Sequence, residues 1–175
     1  SKFIFLRSRR PGDIRNQSAR QTKNQYHDSN IMLSCFDSSS DTTIPGEGAC
    51  AVVVKRLSDA QTNGDTIYAV INGIGQSVSC NHTLKGTSKE GYLQALENCY
   101  SQIEIDPKTI GYLETHGSGL VTEDSVEVGA LNEFLTTVNR NSVTTIGSVK
   151  SDIGHTGAAS GLASLVKSTL CLHHE

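Results

Sequence analysis

Apolar positions along this chain fall into short contiguous runs and into stripes with three- and four-residue steps, and the two patterns alternate from about residue 46 onward. Contiguous runs rich in β-branched residues read as buried strands, and stepped stripes read as helices with one face inward. Cys50 to Val54 reads as a buried strand, followed by a polar helix-turn from Leu57 to Asp65 that ends at Asn63-Gly64. Thr66 to Ile74 reads as a second strand. Thr87 and Glu90 have the spacing of a capping box, and behind them Leu93, Leu96, Tyr100 and Ile103 recur at helical spacing up to the turn at Pro107. Ile110 to Leu113 is the next strand. Thr122, Glu123 and Asp124 then open a helix whose apolar positions include Val126, Ala130, Leu131 and Phe134. Thr144 to Val149 is a further strand. The last helix begins near Thr156, where Gly157, Ala158, Ala159, Gly161 and Ala163 are small, with Leu162, Leu165, Val166 and Leu170 as its core stripe. Strands alternating with helices imply βαβ units, right-handed crossovers and an α/β fold with a mainly parallel sheet and helices on both faces.

Composition narrows the possibilities without choosing among them. The net charge of -3 disfavours nucleic acid as a default partner. No apolar run approaches the roughly 20 residues of a membrane span. Residues 1–30 hold seven basic and two acidic side chains and read as a separate basic segment, a loop or poorly ordered, ahead of a domain over 31–175. The chain opens on Ser1 and not Met, which reads as a cut or processed end. Five cysteines, with no CxxC pair, fit free thiols in a reducing, cytoplasmic setting rather than a disulfide framework. Cys80 and His82 lack two further ligands at zinc spacing, so no metal is assigned. Gly73-Ile74-Gly75 lacks the third glycine and the helix of a dinucleotide loop.

The chemistry concentrates in two loops. His116 lies in Glu114-Thr115-His116-Gly117-Ser118-Gly119-Leu120, and His155 closes Gly147-Ser148-Val149-Lys150-Ser151-Asp152-Ile153-Gly154-His155. Each histidine follows a strand and precedes a helix, where open α/β sheets build their sites. Two imidazoles from two such loops can enter one crevice although 39 positions separate them. His27, His82, His173 and His174 lack such a context and read as surface residues.

With Pro45-Gly46-Glu47-Gly48-Ala49 ahead of them and Glu127 behind the first, these loops resemble three consecutive signatures of β-ketoacyl synthase domains, as found in polyketide and polyunsaturated fatty acid synthases. The resemblance runs from about Leu33 to Glu175. It implies a thiolase-like fold, mostly the C-terminal half, and a decarboxylative condensation of an acyl thioester with a malonyl-type extender. The implied partners are an acyl carrier protein with its phosphopantetheine arm, the remainder of the synthase, and a second copy in a homodimer. No tightly bound cofactor is implied. His116 and His155 match the two active-site histidines, Lys150 the lysine that supports them, and Glu127 an acid that orders that lysine. Ser118 matches a threonine facing the pantetheine arm, and Gly117 and Gly119 leave room for it.

Three departures stand out. Leu120 replaces a threonine, Glu123-Asp124-Ser125 replaces Gly-Asp-Pro, and Asp152 replaces an asparagine. If ionised near His155, Asp152 is expected to raise its proton affinity. None of Cys35, Cys50, Cys80, Cys99 and Cys171 has the family's nucleophile context, so this chain alone is expected to be inactive. A non-catalytic partner resembling a chain-length factor is the alternative, and a hydrolase using Ser88 with His116 is a weaker one.

Overall fold

The computed structural model describes residues 5–7, 33–40, 42–78, 88–137 and 144–174, so the readings on Thr87, on Cys80 with His82 and on most of residues 1–30 lie outside it. Within the segment read as a loop, Phe5–Arg7 forms a strand, β1. It pairs antiparallel with β2 (Ala49–Ala51), setting Leu6 opposite Cys50.

The expected strand over Cys50 to Val54 ends after Ala51, and Thr66 to Ile74 forms no strand. Val53, Val54, Val70, Ile71 and Ile74 are exposed. The correction has a physical reason. An apolar run becomes a strand only when its N–H and C=O groups meet a neighbouring ladder, and the described residues supply none beyond β1.

The next strands behave as expected. β3 (Tyr112–Glu114) and β4 (Thr145–Gly147) pair in parallel, with Leu113 opposite Ile146. A parallel pair needs a long crossover, and α3 (Val121–Thr137) provides it. Before it come α1 (Leu57–Thr62) and α2 (Lys89–Tyr100). The N-cap of α2 is Ser88, whose hydroxyl accepts the Gly91 N–H at 3.1 Å, one residue later than the expected capping box. α2 packs on α3 through a Tyr100–Phe134 ring contact at 5.4 Å and a Lys89–Glu133 ion pair.

After β4 come α4 (Lys150–Ile153), a 3-10 turn at Gly157–Ala159 and α5 (Ser160–His173). The buried face of α5 is Ser160, Ala163 and Val166, whereas Leu162 and Leu170 are exposed. Small residues thus face inward, where the helix start must lie close to the loop carrying His155. No helix among the described residues is long and apolar enough to cross a membrane.

Candidate active site

Helix α3 carries one buried stripe that changes character along its length. Asp124, Glu127, Ala130, Leu131 and Phe134 are all buried, so the stripe that begins as two carboxylates continues as core. A buried carboxylate must find donors, and these two find the four consecutive amides of the loop after β3. The His116 and Gly117 N–H groups donate to the two oxygens of Glu127 at 2.7 and 2.9 Å. The Ser118 and Gly119 N–H groups donate to Asp124 at 2.8 and 3.2 Å. Asp124 also accepts the Phe36 N–H at 2.8 Å, tying in the turn that contains Cys35. Gly117 and Gly119 have φ of +47° and +78°, and a Cβ at Gly117 would stand 2.8 Å from Ser148. These glycines therefore serve the close packing of the loop against the protein itself.

That loop delivers His116 to Lys150. The Lys150 Nζ lies 3.3 Å from Nδ1 of His116 and also donates to the His116 carbonyl. Lys150 is 2% exposed. Burial pushes its pKa down, opposed chiefly by the charge of Glu127 and also by Glu114 and Asp124. Glu127 thus reaches the lysine through its charge, while its hydrogen bonds go to the loop amides. An ammonium has no acceptor capacity, so Nδ1 of His116 must accept and the ring proton sits on Nε2.

His155 is set independently. Its N–H donates to the Ile44 carbonyl at 2.7 Å, and its own carbonyl accepts the Gly46 N–H at 3.0 Å. The Gly157 N–H donates to Nδ1 at 3.0 Å, and the Ser160 hydroxyl lies 3.2 Å from the same nitrogen. Here too the proton is left on Nε2. Burial first, then Lys150 and His116, hold the pKa of His155 below its usual 6.5. The two rings meet with centroids 5.8 Å apart at 81°, edge to face. The two rings therefore sit side by side at one site.

Other expectations are corrected. Asp152 is two-thirds exposed and turns toward Lys167 at 3.8 Å, and it contributes nothing to the shift of His155, which is downward. The Ser118 hydroxyl is engaged inside the loop, donating to Asp124 at 3.3 Å and accepting the Leu120 N–H at 3.2 Å. Ser88 serves as the cap of α2, which removes it as a hydrolase nucleophile. The Cys35 thiol donates to the Gly117 carbonyl at 3.0 Å, and burial pushes its pKa up.

Three acids were missed. Asp124 read only as a helix-start acid, although its three-residue offset from Glu127 on the core stripe of α3 was a usable signal. Glu114 accepts the Val149 N–H and the Tyr112 hydroxyl and pairs with Lys167 at 3.1 Å, joining β3 to the second loop and to α5. Glu123 places Oε2 3.4 Å from Nε2 of His116.

The family model described as "Beta-ketoacyl synthase, C-terminal domain" matches residues 68–175, which include both histidines. Polyketide synthase PksL of Bacillus subtilis is 38% identical over 143 residues, covering 80% of this chain and 3% of that protein. Ketosynthase twelve of the bacillaene polyketide synthase from Bacillus amyloliquefaciens superposes with a TM-score of 0.77 at 34% identity, over 82% of this chain and 26% of that one. The ketosynthase from module 6 of the bacillaene synthase of Bacillus subtilis gives a TM-score of 0.81 at 31% identity, over 98% of this chain and 31% of that one. The fold is therefore thiolase-like, present as a C-terminal portion. The chain belongs to the family of beta-ketoacyl synthase C-terminal domains.

Proposed function

We propose that this chain forms the histidine-bearing part of a condensing site in polyketide biosynthesis. The observation that carries this reading is the pair of imidazoles with centroids 5.8 Å apart, each with its Nδ1 engaged and its proton on Nε2, where that of His116 faces Glu123. An acyl group waits as a thioester on a cysteine supplied by the remainder of the synthase. A malonyl-type extender arrives on the phosphopantetheine arm of an acyl carrier protein. Its carboxylate carbon–carbon bond breaks, CO2 leaves, and the electron pair moves onto the thioester oxygen as an enolate. The Nε2–H groups of His116 and His155 stabilise that charge. The enolate carbon then attacks the acyl thioester, a new carbon–carbon bond forms, and the cysteine leaves as thiolate.

Lys150 fixes the tautomer of His116, and Glu127 with Asp124 fixes its backbone. Gly117, Ser118 and Gly119 we assign to the loop scaffold. No tightly bound cofactor is assigned, and the intact protein works as a cytoplasmic homodimer in this reading.

A second reading, a non-catalytic partner resembling a chain-length factor, draws on Cys35, whose thiol is hydrogen-bonded to a carbonyl and held protonated. Incubation of the intact synthase with an acyl thioester separates the two, because a condensing enzyme takes up one covalent acyl group on cysteine and a partner takes up none. His116→Ala and His155→Ala are each expected to slow CO2 release from malonyl carrier protein by at least about tenfold. Wild-type rates in both variants would remove the reading.

A further inference from the structure

The side chain of Glu123 stands one residue before the buried Asp124, yet it shares none of the backbone duties of its neighbours. Among the described residues its hydrogen-bonding contact is Nε2 of His116 at 3.4 Å. Both side chains are about one-third exposed, at 34% and 37%, so the contact faces the open side of the site. Nδ1 of His116 is already committed to Lys150, which leaves Nε2–H as the one proton this ring can offer a reacting oxygen. A carboxylate placed there competes with that oxygen. It also puts a fixed negative charge where any extender carrying its own carboxylate must come.

We propose that Glu123 is a specificity-determining residue that engages the Nε2–H of His116 in the resting site and discriminates against thioesters bearing a free carboxylate. This rests on the reading of His116 as an oxyanion donor. Like charges a few ångströms apart at a partly exposed site repel strongly enough to alter binding by about an order of magnitude, and salt weakens the effect. The step affected is loss of CO2: Glu123 must release Nε2–H before the developing enolate can take it. A thioester with no carboxylate meets only the first obstacle. One carboxylate therefore separates recognition of anionic extenders from that of neutral acyl groups.

The test uses the intact synthase with malonyl-N-acetylcysteamine as probe, following CO2 release. Glu123→Gln removes the charge and keeps the reach, and is expected to lower KM about tenfold and raise kcat about threefold. Added salt is expected to lower KM in the wild type and to leave it unchanged in this variant. Glu123→Asp keeps the charge but shortens the reach, so kcat is expected to rise while KM stays near the wild-type value. Loss of CO2 release in His116→Ala, combined with an unchanged KM, kcat and salt response in Glu123→Gln, overturns this inference alone. So does a fall in kcat in Glu123→Gln, which would make the acid a helper. Full CO2 release in His116→Ala overturns the reading of the site and this inference with it.

Discussion

The Lys150 ammonium approaches His116 twice, at Nδ1 of the ring and at the backbone carbonyl, so one buried cation fixes both the tautomer and the position of one imidazole. A neutral ring in water samples both tautomers, and only the one protonated at Nε2 presents a donor to a thioester oxygen. We predict that Lys150→Met lowers kcat for CO2 release by about a hundredfold, the scale of losing one preorganised donor, with a smaller change in KM. Nitrogen NMR of labelled histidine is expected to show proton density moving onto Nδ1 of His116. Lys150→Arg is expected to fail as well, because a planar fork does not replace a compact ammonium in a site 2% exposed. An unaltered tautomer in Lys150→Met would show that the lysine acts only on packing.

His155 carries a pH dependence whose sign follows from its surroundings. Burial, then the charge of Lys150 and the proximity of His116, disfavour its imidazolium and depress the folded pKa below 6.5. The unfolded chain therefore takes up a proton first as the solution is acidified. Stability contributed by the neutral ring is complete above 6.5 and is lost as pH falls through the folded pKa. We predict that the urea midpoint falls between pH 7 and pH 5 more steeply in the wild type than in His155→Gln. Lys150→Met removes one cause of the depression and is expected to move the His155 titration upward.

Sequence patterning was informative where local pattern and tertiary surroundings agree. The β3–α3–β4 unit, the helix from Lys89 and both histidine loops follow directly from apolar spacing and from where strands end. The Cys50 to Val54 and Thr66 to Ile74 runs were misread because strand formation depends on a neighbour, which no single run encodes. Asp152 was misread for a different reason. Sequence adjacency to Lys150 says nothing about direction, and on the short helix α4 two positions separate the buried side from the solvent side. Asp124 and Glu127 were half legible. Their offset of three places them on one helix face, but only the loop packed against that face shows that they bind amides and not water.

Glu114 and Lys167 lie 3.1 Å apart with the acid side chain 5% exposed, and the same carboxylate accepts the Val149 amide. The pair clamps the end of β3 to α5 and to the start of the loop that carries Lys150 and His155. Removing the acid leaves the Val149 amide and the Tyr112 hydroxyl without their acceptor and Lys167 without its counter-ion. Glu114→Ala is predicted to cost about 3 kcal/mol of unfolding free energy, measured by urea denaturation. Lys167→Met, which removes the more exposed partner, is expected to cost less, because the Val149 amide and Tyr112 hydroxyl still satisfy the carboxylate. Equal losses in the two variants would argue against the clamp.

Asp124 offers a sharper test of how the first histidine loop is built. One of its oxygens takes the Ser118 amide and hydroxyl, and the other takes the amides of Phe36 and Gly119. Asp124→Asn preserves size and shape but converts one acceptor into an NH2 group. Whichever way the amide turns, it faces backbone donors with a donor. Each buried N–H left without an acceptor costs about 1–3 kcal/mol, so a stability loss near 3 kcal/mol is expected. The damage should be local in a defined way. Amide hydrogen exchange is predicted to speed up at Ser118 in one orientation of the amide, or at Phe36 and Gly119 in the other. Amides of the α3 core around Leu131 should keep their protection relative to the new global stability. Uniform acceleration across α3 would mean that Asp124 supports the helix generally, and that the loop bearing His116 is held by Glu127 alone.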